Sequence, residues 1–213
     1  MAINFTSSLS QYINLGTIGL PNIQGPLSLS LWFKYSVVPV SGNKTYYSGW
    51  NGTKAICIGS RNGNIGAWKN GGTFLVSTLA PTANILHNII YTVSSNSNNL
   101  YLNGVLVSSS STQTNNGTIS NSKLGAYQST EYFNGTLEDF RIYNIVLSSY
   151  EVGSIYCSFG GDGIIGGLIG RYLFNEGSGI PTSLIDSMGS NDGASLSYPV
   201  YIGGELKTKR RFT

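Results

Sequence analysis

The sequence predicts an all-β fold, two antiparallel sheets packed face to face, and three observations carry that prediction. Apolar and polar residues alternate with the period of two that buries one face of a strand, most cleanly in Leu27-Ser28-Leu29-Ser30-Leu31-Trp32-Phe33-Lys34. Turn formers punctuate the chain, with 28 glycines and many Asn, Ser and Thr residues. Only 10% of residues are charged, so the long charged side chains that cover surface helices are scarce. A chain of 213 residues is then expected to form one domain, because sandwiches of about 200–250 residues are common as single units.

Taken in order, residues 2–15 read as a hairpin, with Ile3 and Phe5 before a polar break and Tyr12, Ile13 and Leu15 after it. Leu27 to Lys34 reads as a central strand. Residues 41–72 hold short strands at 54–58 and 64–68, and Ser48-Gly49-Trp50-Asn51-Gly52 reads as a turn that displays a tryptophan. Two strands at 87–93 and 99–107 follow, the second folding back at Asn103-Gly104, a pair that accepts the positive φ angles of a tight hairpin. Lys123 to Tyr127 forms another strand after a Ser/Thr/Asn/Gln loop at 108–121. In residues 134–156, Leu137, Phe140 and Ile142 alternate against Glu138, Asp139 and Arg141, and Ser148 and Glu151 are spaced as a capping box that opens one helical turn. Residues 158–170 carry too much glycine for a strand interior and read as a linker or tight loop.

The net charge of +3 comes from 12 basic and 9 acidic residues, with Lys207, Lys209, Arg210 and Arg211 close together at the end. The body of the domain is close to neutral, which makes nucleic acid a poor partner for it, and the tail reads as a solvated basic end. No apolar run approaches the roughly 18 residues of a membrane-spanning helix, and no Sec-type signal is expected, since Met1-Ala2-Ile3-Asn4-Phe5 opens directly with strand-like alternation. Cys57 and Cys157 are expected as two buried thiols in preference to one disulfide. His87 is the only histidine, which leaves no ligand cluster for zinc.

Several segments together resemble the laminin-G-like members of the concanavalin A-like lectin/glucanase jelly rolls. They are Ala2-Ile3-Asn4-Phe5 with Tyr12-Ile13-Asn14-Leu15, the Leu27 to Phe33 strand, Leu100-Tyr101-Leu102-Asn103-Gly104, and Glu138-Asp139-Phe140-Arg141-Ile142-Tyr143 with its capped turn. The residues Gly167 to Gly179 and Asp186 to Gly193 resemble the strand and loop that open this family, yet here they come last. The resemblance therefore spans about residues 2–202 in circularly permuted order. It implies a jelly-roll body over 1–157, a Gly-rich linker over 158–170, a strand and loop over 171–202 that complete the same sandwich or that of a neighbouring subunit, and a basic tail over 203–213.

Glycoside hydrolysis needs two carboxylates facing one bond, and the E-x-D-x-E strand that supplies them in catalytic relatives is absent. Glu138 and Asp139 are adjacent and are expected on opposite faces, so an enzyme is the remote reading. The resemblance implies one structural Ca2+, held by Asp186, by oxygens near Asn191, and by Asp139 or Glu138. Sugar rings are gripped by aromatic faces with amides reaching their hydroxyls, which nominates Trp50, Tyr46, Tyr47, Trp68 and Tyr127 with Asn51. The expected function is a non-enzymatic recognition module for a glycan or glycoprotein surface, set on a virion or phage or in an extracellular assembly. The alternative is a purely structural capsid or fibre component that contacts other virion proteins or copies of itself.

Overall fold

The computed structural model describes residues 1–206 apart from 18–24, 54, 70–73, 78, 112–117, 178, 180–182, 190–191 and 197–198. Among the described residues, sixteen strands build two sheets. They are β1 (Ala2–Phe5), β2 (Tyr12–Gly16), β3 (Leu27–Tyr35), β4 (Asn43–Trp50), β5 (Ala55–Arg61), β6 (Asn64–Lys69), β7 (Phe74–Val76), β8 (His87–Val93), β9 (Asn98–Leu102), β10 (Val105–Ser110), β11 (Asn121–Leu124), β12 (Gly135–Tyr143), β13 (Leu168–Tyr172), β14 (Ser183–Leu184), β15 (Gly193–Leu196) and β16 (Val200–Ile202). Sheet A runs β10-β9-β8-β3-β12-β1-β16, with β13 also on β12, and sheet B runs β14-β15-β2-β11-β4-β5-β6-β7. Every strand pairing within them is antiparallel.

The alternation seen in the sequence sets the core. Leu27, Leu29, Leu31 and Phe33 join Ile89, Tyr91 and Val93 across the β3–β8 register and meet Ile13, Leu124, Ile56 and Ile58 of sheet B. Residues 2–15 are not a hairpin: β1 lies in sheet A and β2 in sheet B. A 3-10 turn over Ser7–Leu9, ending at Ser10 with φ of 54°, carries the chain across the sandwich.

Strand β12 is the centre of sheet A. β3 lies along one edge, while the other edge is shared end to end, with β1 on Gly135 to Leu137 and β13 on Phe140 to Tyr143. Between the two halves Asp139 bulges out with φ of 43°. The late strands thus pair within the same chain, since β15 joins β2 and β16 joins β1.

The capped turn extends to a two-turn helix, α1 (Ser149–Cys157), with both halves of the capping box formed by Ser148 and Glu151. It seals the outer side of sheet A over a second apolar cluster of Ile90, Tyr101, Tyr143, Leu147, Val152, Ile155 and Leu168. Residues 158–167 pack rather than merely connect: Phe159 stacks on Trp32 at 5.7 Å, beside Tyr156 at 5.9 Å. Both cysteines are free thiols; Cys57 is buried, but Cys157 is exposed at the end of α1, where no sheet covers it.

His87 stacks on Phe33, with Nδ1 3.0 Å from Asn103 Nδ2 and Nε2 3.2 Å from the Thr82 carbonyl. Burial lowers its pKa, against the opposing pull of the Thr82 and Asn103 hydrogen bonds. The folded value therefore lies below the unfolded one of about 6.5, and the unfolded chain takes up the proton first. Stability should be fully retained above about pH 6.5 and should fall as pH drops below it; a His87→Gln variant whose melting temperature shows the same pH slope there would refute this.

Candidate functional site

The outward side of sheet B carries a polar and aromatic row set by register. Asn14, Lys123, Ser48, Cys57 and Trp68 stand opposite one another on β2, β11, β4, β5 and β6, alternating with the inward Ile13, Leu124, Ile56, Ile58 and Ala67. At one end of β4, Trp50 projects half-buried and meets Tyr127 edge to face, centroids 6.0 Å apart at 90°. Tyr127 is held by a tight turn in which Tyr127 and Thr130 exchange backbone hydrogen bonds, and Gln128 Nε2 donates to its hydroxyl. Lys123 lies 4.5 Å over the Tyr12 ring and donates to the Gln128 carbonyl, while Tyr12 faces Tyr132 at 6.5 Å. Burial lowers the Lys123 pKa and raises that of Tyr127. The result is a shelf of rings edged with amide and ammonium donors.

Of the residues nominated from the sequence, Trp50, Tyr127 and Trp68 lie on this face, Trp68 about two strands, on the order of 10 Å, from Trp50. Asn51 sits beside Trp50, and its Oδ1 caps its own turn through the Thr53 amide. Tyr46 and Tyr47 are not on it. Both are fully buried, Tyr46 hydrogen-bonded to Tyr35 and Tyr47 to Ser122. The cause is a bulge between Thr45 and Tyr47, which turns two adjacent tyrosines inward, and Ser48 to Trp50 belong to β4 instead of a turn. Tyr12, Lys123, Gln128 and Tyr132 were not nominated, although alternation with Ile13 and Leu15 already puts Tyr12 outward beside Asn14.

The carboxylates lie on the outer side of sheet A. The bulge at Asp139 corrects the expectation that Glu138 and Asp139 face opposite ways, since both project outward. Arg141 is 1% exposed; it donates to Asp139 Oδ2 at 3.0 Å through Nε and 2.5 Å through Nη2, and to both oxygens of Asp162 at 2.9 Å. Arg171, opposite it on β13, donates to Asp139 at 2.8 Å and 3.0 Å, and both guanidiniums share the Gly160 carbonyl. Burial pushes the Asp162 pKa up, but the hydrogen bonds and charge of Arg141 outweigh it and hold the group below the usual range. Burial raises that of Glu138, against amide hydrogen bonds from Glu205 and Leu206.

The residues present do not fit the implied calcium. Ca2+ needs six to eight hard oxygens. Both oxygens of Asp139 are committed to arginines, both of Glu138 to backbone amides, and Asp186 Oδ1 to the amides of Arg171 and Met188. Asp186 Oδ2 alone is left buried and unpartnered, and Asn191 lies outside the described residues. Among the described residues no three His, Cys, Asp or Glu side chains group to hold a metal. Two guanidiniums supply the positive charge that a cation would bring. Dialysis against EDTA is accordingly expected to leave the melting temperature within about 1 °C, and a drop of several degrees reversed by added Ca2+ would overturn that reading.

A family model described as the concanavalin A-like lectin/glucanases superfamily matches residues 6–153, more than half of the chain. The chain belongs to this superfamily. The match stops inside α1, so β13 to β16, and Asp162 and Arg171 of the arginine–carboxylate network, lie beyond it. No curated protein sequence matches the chain. Among solved structures, a presumptive carbohydrate binding protein from Bacteroides ovatus superposes with a TM-score of 0.66 at 16% identity, over 95% of this chain and 61% of that one. The chain thus spans less than two thirds of that relative. A pentraxin from Limulus polyphemus gives 0.62 at 13% identity, over 91% of this chain and 94% of that one. The CBM40 domain of the Ruminococcus gnavus IT-sialidase, bound to α2,3-sialyllactose, gives 0.52 at 16% identity, over 67% and 97%. At these identities the likeness to this superfamily's solved members is one of fold. No helix among the described residues is long and apolar enough to cross a membrane.

Proposed function

We propose that the chain is a non-enzymatic glycan-recognition module whose binding surface is the aromatic shelf on sheet B. The observation that carries this is the half-exposed Trp50–Tyr127 pair, framed by Asn51, Gln128 and Lys123: ring faces suit the C–H patches of a sugar, and the amides reach its hydroxyls. The two solved relatives named for carbohydrate support the same reading. The charge-poor Ser/Thr/Asn/Gly surface suits a virion, phage or extracellular setting, which remains part of the proposal. On a glycan array, binding should fall by about tenfold or more in Trp50→Ala with an unchanged fold, because a stacked ring of this size contributes about 1.5–3 kcal/mol. Equal binding by the variant would refute the shelf.

A scaffold that assembles through protein contacts is the second reading, and one observation favours it. Edge strand β10 exposes Val105 and Leu106 by more than half, the kind of open edge that pairs with another chain. Silence on the array together with a stable oligomer would select it.

A further inference from the structure

A cavity of about 540 Å3 opens on the outer side of sheet A, where Met1, the Phe159 to Asp162 loop, β13 and the 185–187 loop converge under Leu206. Its volume is that of a small-molecule site. Except for Asp139, its lining falls outside the residues matched by the family model.

The chemistry of its wall narrows what it can hold. Arg171 reaches it with Nε and Nη2 spent on Asp139 and Gly160, which leaves both N–H groups of Nη1 without a partner among the described residues. Asn175 is exposed at the wall, and Glu176 accepts from the Ile185 amide and from the Tyr201 hydroxyl with lone pairs to spare. Leu173, Ile185 and Phe159 supply apolar surface between these groups. An anion does not suit the site, because Asp139 already neutralises Arg171 and Asp162 and Glu176 stand beside it. A bare metal ion does not suit it either, since Asp139 and Asp162 are engaged by N–H donors and Asp186 Oδ2, the one buried carboxylate oxygen left unpartnered at the wall, falls far short of a full set of oxygen ligands. A ligand that both donates and accepts, carries no charge and offers C–H faces does.

We infer that this cavity is a second carbohydrate site, a pocket for one neutral sugar residue, with ring hydroxyls accepting from Arg171 Nη1 and Asn175 and donating to Glu176. It shares its ligand class with the shelf on sheet B but none of its residues, so either site can fail alone. The module then offers an extended shelf on one sheet and a single-residue pocket outside the other.

The test is an NMR titration of the full chain with glucose, galactose, mannose and fucose, and with glucuronate as an anionic control. At least one neutral sugar should shift the Arg171, Leu173 and Ser187 amides with Kd of about millimolar. Leu173→Trp, which fills the cavity from a half-buried position, should weaken that binding about tenfold or more, and Asn175→Ala, at an exposed position, several-fold. Trp50→Ala should leave it unchanged. No shift at these amides with any neutral sugar, full binding by Leu173→Trp, or tighter binding of glucuronate than of every neutral sugar would overturn the inference.

Discussion

Replacing Arg141 with alanine is expected to cost about 3–5 kcal/mol, enough to unfold a domain of ordinary stability at moderate temperature. The side chain is 1% exposed and bridges two carboxylates whose own side chains are 3% and 1% exposed. Its removal strands Asp162 without its cation and leaves Asp139 with Arg171 alone. Truncation to alanine also opens a space beneath Gly160 and Tyr143, whose carbonyl and hydroxyl accept from the guanidinium. Chemical denaturation followed by tryptophan fluorescence measures the cost, and a loss under about 1 kcal/mol would show that the network is dispensable. Asp162→Asn should cost less, since the amide oxygen still accepts from Arg141. The Asp162 contribution has a pH signature: with a folded pKa below the unfolded value, it is present above about pH 4 and lost as pH falls through the folded pKa.

Truncation after Cys157 is expected to abolish folding. It removes β13, β15 and β16, which cover the free edges of β12, β2 and β1, and with them Tyr172, Phe174, Leu184 and Tyr201 from the main core. Each buried large side chain contributes about 2–5 kcal/mol, so four together match the 5–15 kcal/mol by which domains are stable. The truncated chain should be insoluble or lack a cooperative thermal transition. A soluble monomer that melts at the full-length temperature would show that the C-terminal segment is an appendage, and a full-length dimer that dissociates only on unfolding would show that it closes a neighbour's sandwich.

The strands were legible where alternation and turn chemistry agreed. Leu27 to Phe33, the Asn103-Gly104 hairpin and the Leu137 to Tyr143 strand needed only local rules. The sheet to which a strand belongs is not a local property, so residues 2–15 looked like a hairpin although a 3-10 turn sends β1 and β2 to different layers. Bulges defeat alternation for the same reason: one extra residue at Thr45–Tyr47 or at Asp139 reverses the faces that a period of two assigns. That single effect hid Tyr46 and Tyr47 in the core and put Glu138 and Asp139 on one side. Trp50 and Tyr127 stand out in sequence as aromatics next to glycine and asparagine, and the structure brings the two rings together. The pairing of Arg141 and Arg171 around Asp139 depends on a strand that arrives some thirty residues later, and no spacing rule reaches it.

The shared edge of β12 also bears on how the chain is made. A ribosome releases β1, β2 and β3 first, yet β1 has no partner in sheet A until β12 emerges on the order of a hundred residues later, and β3 has only β8. Throughout that interval the nascent protein carries open strand edges flanked by large apolar side chains, the surface most prone to pair with a neighbouring copy. The Asn103-Gly104 meander of β8, β9 and β10 is the first part of sheet A that can close on itself, and β13 the late piece that covers the last of β12.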